Sequence, residues 1–324
     1  MTLLQMNSAN MEFNMEFSHV PVLLREVLEG LNLGNDKIYV DCTIGGAGHS
    51  EKILENTKNS MLIGIDQDED AILASSKRLE KYKSRVKIVR SNFANIKNVL
   101  ESLNVDKVDG ILADLGVSSH QIDTASRGFS FRFDSELDMR MDKSQSLSAK
   151  NVVNEYSEEK LKHIFKDFGE EKFASSIARK IVMERKKEPI ETTKQLERII
   201  LSAVPRYKGN DGSSNVQRTF QAIRIEVNHE LDILENFIRD AESVLFPGGR
   251  LVIITFHSLE DRIVKQTFKD LATGCICPSD FPVCVCGRKP KVKIVTPHPI
   301  TATTEELETN RRSASAKLRV IEKL

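Results

Sequence analysis

Short apolar runs alternate with longer helical stretches along the first third of the chain. Acidic residues at the start of the second helical stretch suit the helix dipole. Strands that alternate with helices are joined by parallel crossovers, so the pattern predicts a doubly wound, Rossmann-like α/β sheet. Ligands of such sheets bind beyond the carboxyl ends of the strands. The predicted strands are residues 38–41, 61–66, 86–89 and 110–114, and the predicted helices are residues 49–55, 68–80 and 96–103.

This rhythm of strands stops after Asp114 and resumes near residue 218. Between them, residues 130–217 carry three amphipathic segments, the last opened by a capping box at Thr192 and Gln195. We interpret 130–217 as a mostly helical insertion domain that recognises substrate. The core domain then comprises 19–129 and 218–324, after a disordered tail over 1–18. Its second part is predicted to contain one long helix over 227–245, a strand over 250–256, a helix over 261–271 and strands over 292–295 and 318–321.

The composition is that of an ordinary globular protein. Of 324 residues, 40% are hydrophobic, and 47 basic residues balance 47 acidic ones. Zero net charge gives no support for nucleic-acid binding, although it leaves room for a local basic face. We find no apolar run long enough for a membrane span and no secretory signal. Together with five cysteines, this predicts a reduced, cytoplasmic protein.

A glycine-rich turn follows the first predicted strand, between Asp41 and His49. Glycines let the backbone approach a ligand closely at the start of a helix. A dinucleotide fingerprint needs a further glycine where this chain has Glu51, so a nucleoside without a pyrophosphate fits better. The alternative is a strand-to-helix turn that binds nothing.

Three more strand ends carry residues suited to a nucleoside. Asp66 is placed to accept hydrogen bonds from two ribose hydroxyls, although an acid here also suits a helix start. Phe93 is placed to flank an adenine ring, or else packs in the core. Asp114 ends the fourth strand, where a methyl donor and its acceptor would meet. Methyl transfer from a sulfonium is an in-line displacement, so the protein mainly has to align the reactants.

Arginines and aromatic residues interleave after residue 126. They suit base stacking combined with phosphate contact, but they equally suit a packed loop under the insertion. At the end of the last core strand, His257 has the position of a site residue, or else caps the next helix. We therefore treat six residues as candidate RNA contacts: Arg127, Phe129, Phe131, Arg132, Arg140 and His257.

Four cysteines stand close together in the sequence. Zinc sites usually separate paired cysteines by two or more residues, whereas here a single residue lies within each pair. We therefore predict no bound metal and a loop of reduced thiols, with zinc as the less favoured alternative. The residues are Cys275, Cys277, Cys284 and Cys286.

Taken in order, eight stretches of the chain resemble the bacterial 16S ribosomal RNA cytosine-N4 methyltransferase family, known as RsmH or MraW. They cover nearly the whole chain from His19 onward. The resemblance implies the class I methyltransferase fold, S-adenosylmethionine as cofactor, and 16S ribosomal RNA of the small ribosomal subunit as partner. The stretches are His19–Leu24, Asp41–Ser50, Asp114–Ser119, Arg127–Phe131, Leu137–Asp142, Phe220–Asn228, Phe256–Asp261 and Asn310–Ala314.

For the site, the resemblance implies a set of residues that contact the cofactor. It also implies that the methyl acceptor is an exocyclic cytosine amine in the decoding region. Many amino-methyltransferases align such an amine with an Asp/Asn-Pro-Pro-aromatic motif. This chain has Asp114-Leu-Gly-Val there, so the acceptor groups are not identified, and we assign Asp114 mainly to the cofactor and only secondarily to catalysis. The expected cofactor residues are Gly46, Ala47, Gly48, His49, Asp66, Phe93, Asp114 and Gln121.

Two alternatives stay open at this point. A methyltransferase of the same fold acting on a protein or a small molecule would keep the same cofactor residues. A non-catalytic RNA-binding or assembly factor would keep the fold alone. The interleaved aromatics favour RNA over a small molecule, and the glycine loop together with Asp66 and Asp114 favours an enzyme.

Overall fold

A seven-stranded sheet forms the centre of the protein in a computed structural model that describes residues 21–205, 211–277, 283 and 285–324. The strand order is β3-β2-β1-β4-β5-β7-β6, with the first five strands parallel and β7 antiparallel to both of its neighbours. The predicted doubly wound sheet is confirmed. The strands are β1 Ile38–Asp41, β2 Met61–Asp66, β3 Val86–Arg90, β4 Val108–Asp114, β5 Leu245–Thr255, β6 Val292–Ile294 and β7 Lys317–Lys323.

Both faces of this sheet are buried, which is why its strands are almost continuously apolar. Successive residues enter opposite cores: Tyr39 packs in one hydrophobic cluster and Val40 in the other, and Leu112 and Ile111 repeat the division on β4. Helices cover the two faces. Those outside the insertion are α1 Leu24–Leu31, α2 Gly48–Glu55, α3 Glu69–Arg78, α4 Ile96–Ser102, α5 Ser119–Asp123, α11 Leu234–Ser243, α12 Ser258–Ala272 and α13 Thr304–Thr309. Among the described residues, no helix is long and apolar enough to cross a membrane.

A third hydrophobic cluster, running from Leu137 to Val227, belongs to the predicted helical insertion. The sequence analysis placed the end of the insertion at residue 217, inside a helix that packs on this cluster along its length, so that boundary is too early. The helices are α6 Ala149–Glu155, α7 Glu158–Asp167, α8 Ala174–Glu184, α9 Thr193–Ala203 and α10 Ser213–Asn228.

The predicted long helix over 227–245 is wrong. His229 adopts the left-handed conformation, with φ of 53°, and ends α10, so α11 begins only at Leu234. The side chain of Asn228 fixes this break, since its amide donates to the carbonyl of Met139 and accepts from the backbone N–H of Met141. The helical spacing of apolar residues continues across the break between Asn228 and Leu234, so the sequence pattern alone indicates one helix.

The predicted tail over 1–18 and His19 lie outside the described residues, as does Cys284.

Candidate functional site

Three carboxylates end neighbouring strands at one edge of the sheet. Asp41, Asp66 and Asp114 end β1, β2 and β4, which lie side by side in the order β2-β1-β4. Neighbouring strands are about 4.8 Å apart, so the outer two strand ends are on the order of 10 Å from one another. Asp66 and Asp114 line one pocket together with the glycine turn after β1. The structure therefore brings these predicted site residues together at one pocket.

The turn between β1 and α2 brings backbone rather than side chains to the pocket. Gly45 has φ of +47°, and Ala47, buried at the start of α2, has φ of 59°. A Cβ on Gly48 would lie 2.6 Å from Cγ of Pro21, closer than packed atoms allow. Gly46 and Gly48 line the pocket, whereas the side chain of Ala47 is buried and does not line it.

Asp41 supports the site from within. Its carboxylate accepts hydrogen bonds from the Ser50 hydroxyl, at 2.6 Å, and from the Thr43 amide, at 3.2 Å. Thr43 Oγ1 in turn accepts the backbone N–H of Asp114, at 2.7 Å, and so connects the turn to β4. Burial raises the pKa of Asp41 to about 6, against the hydrogen bonds that favour its ionised form.

Asp66 is held by backbone amides. Its two oxygens accept from the N–H of Gly45 and of Asp68, both at 2.9 Å, so the carboxylate has a fixed orientation beside the glycine turn. Burial raises its pKa to about 6. Half-buried Phe93 lines the same pocket and packs edge-on against Phe237, with ring centroids 4.8 Å apart. Its ring thus packs against the core and also reaches the pocket, and its contact with an adenine stays a prediction.

Gln121 faces the pocket, but its amide is already engaged. Nε2 donates to Oδ2 of Asp68, at 2.7 Å, and Oε1 accepts the N–H of Ser118 in a capping box that starts α5. Asp68 also caps α3. The side chain therefore fixes two helix starts at the pocket wall.

Asp114 is the most perturbed carboxyl group of the pocket. Burial, together with the nearby charges of Asp41 and Glu260, raises its pKa to about 8. Its Oδ1 atom is buried and has no hydrogen-bond partner among the described residues. An unsatisfied buried carboxyl oxygen costs free energy, which a ligand that binds it recovers.

His49 faces this carboxyl group as a neutral ring. Its Nε2 donates to the carbonyl of Val22, at 2.9 Å, which leaves Nδ1 as the acceptor, 3.9 Å from Oδ2 of Asp114. Burial lowers the pKa of His49 to about 4. A neutral imidazole next to a protonated carboxyl keeps this part of the pocket uncharged near pH 7.

Comparison with known proteins now decides the family. Residues 16–324 match the sequence profile described as the MraW methylase family. The chain belongs to the MraW methylase family. S-adenosylmethionine is accordingly the cofactor of this MraW-family protein, and the predicted resemblance is confirmed.

Three curated relatives, all called ribosomal RNA small subunit methyltransferase H, align with nearly the whole chain. The protein of Clostridioides difficile (strain 630) is 54% identical over 96% of this chain and 100% of its own length. That of Lachnospira eligens is 54% identical over 97% and 100%, and that of Finegoldia magna is 52% identical over 96% and 100%.

The pocket of this MraW-family protein also contains residues that the sequence analysis missed. Buried Glu260 accepts the backbone N–H of Phe256, at 2.8 Å, and lies 3.2 Å from Nε2 of His257. Burial alone would raise the pKa of Glu260, but His257 and the charge of Arg224 hold it below its usual value. Acids are common in the first turn of a helix, so nothing in the pattern distinguishes Glu260. Among the missed pocket residues are Asn228, Glu230, Phe256 and Glu260.

His257 is a helix cap rather than a substrate contact. Its Nδ1 accepts the backbone N–H of Glu260 at the start of α12, and its side chain is buried. With Nδ1 as acceptor, the ring proton lies on Nε2, beside the Glu260 carboxylate. Glu230, the nearest other carboxylate, is paired with Arg224 through both of its oxygens. Each of the three side chains thus has a partner within the protein.

Arg127 lies in the interior, which corrects its assignment as an RNA contact. Its guanidinium donates to Asp68, at 2.7 Å, to Asp70, at 2.9 Å, and to the backbone carbonyls of Arg140 and Met141. Only 1% of its side chain is exposed. The charge pattern of the sequence does not distinguish such an interior arginine from a surface one.

The remaining candidate RNA contacts fall into two groups. Phe129 and Phe131 pack against the third hydrophobic cluster, and Phe131 meets Phe220 edge-on at 5.4 Å. Arg140 is paired with Asp138 and with backbone carbonyls of its own loop. Their side chains hold the loop together. Arg132 differs, since it is exposed, and its assignment as an RNA contact stays a prediction.

Proposed function

We propose that this protein transfers a methyl group from S-adenosylmethionine to the N4 amine of a cytosine in the decoding region of 16S ribosomal RNA. The names of its curated relatives support the small-subunit RNA as substrate. The observation that carries the proposal is the buried Oδ1 of Asp114, which has no hydrogen-bond partner among the described residues, in a pocket lined by the glycine turn, Asn228 and Glu260.

The cofactor half fits a nucleoside with a cationic tail. Gly46 and Gly48 let the ligand approach the backbone, and a Cβ at Gly48 would collide with Pro21. Asp66 keeps a fixed carboxylate for ribose hydroxyls, and the exposed part of the Phe93 ring provides an apolar surface for the base. We assign Ala47, His49 and Gln121 to shaping this half, because their hydrogen bonds or backbone angles hold its walls.

When bound, the cofactor supplies an electrophilic methyl group on a positively charged sulfonium. A positive charge bound near Asp114 would lower the raised pKa of its carboxyl group, so cofactor binding favours the ionised form of Asp114. An ionised Asp114 accepts a hydrogen bond from the cofactor ammonium or from an attacking amine. Accepting from the amine would direct the nitrogen lone pair toward the methyl group, which a conjugated cytosine amine requires.

We propose that the acceptor base binds on the side of the pocket next to the helices that pack on the third hydrophobic cluster, from here on the helical cluster. Asn228 ends α10 of that cluster, and Met141, from its entering segment, also lines the pocket. We propose that this cluster presents the flipped base and that exposed Arg132 contacts the RNA backbone. The assembled small ribosomal subunit is the proposed partner, which places the activity in the cytoplasm.

Methyl transfer to isolated small ribosomal subunits, compared with naked 16S RNA, tests the proposal. With labelled S-adenosylmethionine, we expect label in one decoding-region cytidine, and mass spectrometry of the released nucleoside to identify it as N4-methylcytidine. Label at carbon 5 of cytosine, in another base or in a protein would refute the assignment. Cofactor binding without transfer to either RNA would favour a non-catalytic assembly factor.

A further inference from the structure

We propose that Cys275, Cys277 and Cys286 form a zinc site in the segment that joins α12 to β6. The Sγ atoms of these three residues all lie within 4.8 Å of one another. Those of Cys275 and Cys286 are 3.7 Å apart. The site is separate from the methyl-transfer pocket, whose lining contains none of the three, and the proposal does not depend on the proposed function.

The distance between the Sγ atoms of Cys275 and Cys286 can be compared with the distances that a zinc site and a disulfide require. Two Zn–S bonds of about 2.3 Å at a tetrahedral angle place their sulfur atoms about 3.8 Å apart. A disulfide requires a separation of about 2.05 Å. The 3.7 Å between Cys275 and Cys286 spans a thiol–thiol hydrogen bond, is too long for a disulfide, and also suits two thiolates that share a metal ion.

Spacing along the chain, which argued against zinc, is compatible with this geometry. The Sγ atoms of Cys275 and Cys277 lie within 4.8 Å of one another although a single residue separates them, and neither cysteine lies in a helix. Cys286 comes from the returning part of the segment and completes a three-sulfur face. The rule of two or more intervening residues describes tight turns, whereas the chain here brings distant cysteines together.

A metal would also explain how this segment is held. Its described residues form no helix or strand between Ala272 and Val292. The apolar side chains beside the cysteines do not supply a core, because Ile276, Val283 and Val285 are 61%, 70% and 73% exposed. A metal crosslink among the three described cysteines would offset part of the entropy lost when their side chains are held together.

The base of the segment is fixed independently of any metal. Arg288 donates to the carbonyl of Thr273, at 3.1 Å, and to the carboxylate of Asp270, at 2.6 Å. These contacts bring the two ends of the segment together at the end of α12. The three thiols therefore lie on a segment whose two ends are joined at the end of α12.

Thiolates are soft ligands, and a redox-inert tetrahedral ion at a structural position is typically zinc. Metal analysis of the full chain, purified without oxygen or chelator, provides the first test. We expect about one zinc per chain. Cys275→Ser, Cys277→Ser and Cys286→Ser should each lose most of it. Cys42→Ser is the matched control, because Cys42 is a buried thiol outside the cluster, and this variant should keep its zinc.

Cobalt substitution reads the ligands directly. Replacement of zinc by Co²⁺ in the wild-type protein should give intense visible bands and a sulfur-to-cobalt charge-transfer band, both weakened in each of the three serine variants. Cys284→Ser tests the fourth ligand: weakening of the bands would mean a fourth thiolate, and unchanged bands would mean a non-thiol ligand beside the three proposed here.

Limited proteolysis keeps the proposal testable if the serine variants do not fold. A zinc chelator should speed cleavage of wild-type protein between residues 272 and 292, and added zinc, but not magnesium, should restore protection. Substoichiometric zinc without a cobalt–thiolate band would overturn the proposal. So would iron in place of zinc, or a Cys275–Cys286 disulfide in the native protein.

Discussion

Oδ2 of Asp68 lies 2.7 Å from Nη1 of Arg127, and both side chains are almost completely buried. The same Asp68 oxygen accepts from Gln121, while Arg127 also binds the carbonyls of Arg140 and Met141. One ion pair thus connects the pocket wall to the segment that enters the helical cluster. Removal of one member leaves the other charged and buried.

Arg127→Met should therefore be strongly destabilising. Breaking a buried pair costs about 3–5 kcal/mol, and the lost carbonyl contacts add to this. Arg132→Met is the matched control, because Arg132 is exposed and should change the free energy of unfolding by less than about 0.5 kcal/mol. Urea denaturation of both variants measures the difference. Equal midpoints would show that the buried pair contributes little.

Asp114 should make the cofactor-free protein less stable as the pH rises above neutrality. Its pKa in the folded protein is about 8, above the ordinary 3.8, so the folded state holds a proton that the unfolded state has lost. Stability falls wherever the folded state binds more protons, here up to about pH 8. Asp41 and Asp66, with pKa near 6, have mostly ionised by then, so a scan above pH 7 isolates Asp114.

Asp114→Asn should flatten that part of the profile, because the amide does not titrate. Thermal or urea unfolding between pH 7 and 8 is the measurement. A wild-type slope that persists unchanged in the variant would assign the titration to another group.

Binding of S-adenosylmethionine should release a proton from Asp114. The positive charge of the ligand lowers the pKa of a carboxyl that is protonated in the free protein at pH 7. Calorimetry in buffers of different ionisation enthalpy measures the release. S-adenosylhomocysteine, which lacks the sulfonium charge, should release less, and Asp114→Asn should abolish the effect.

The same titrations test the assignment of Asp114 to the cofactor. Asp114→Ala should weaken S-adenosylmethionine binding about tenfold or more, the equivalent of one hydrogen bond to a charged group. If this variant bound the cofactor normally and lost only turnover, Asp114 would belong to the acceptor instead.

Gly48→Ala should distort the glycine turn. The added Cβ would lie 2.6 Å from Pro21, and overpacking of this kind costs about 1–3 kcal/mol. We expect weaker cofactor binding together with lower stability. Gly34→Ala is the control, because its Cβ would meet only Lys37 at an ordinary 3.6 Å. Similar cofactor affinity in the two variants would contradict the close approach that we describe.

The sequence predicted the sheet and the position of the pocket because both follow from local patterns. A parallel strand buried on both faces is a short apolar run, and its carboxyl end is where the polar loop begins, as at Asp66 and Asp114. The details that failed depend on contacts between distant residues. Arg127 is held in the interior by its ion pair with Asp68, which lies 59 positions away in the sequence. The end of α10 coincides with a hydrogen bond from the Asn228 side chain to the carbonyl of Met139. Neither contact can be recognised from the residues that adjoin it in the sequence.

Asn228 sets how the helical cluster is attached to the sheet. Its amide joins the segment that enters the cluster, at Met139 and Met141, to the helix that leaves it. Entry and exit therefore meet beside the pocket that Asn228 and Met141 both line. Any swing of the cluster that widens the pocket must either pivot about this amide or break its hydrogen bonds.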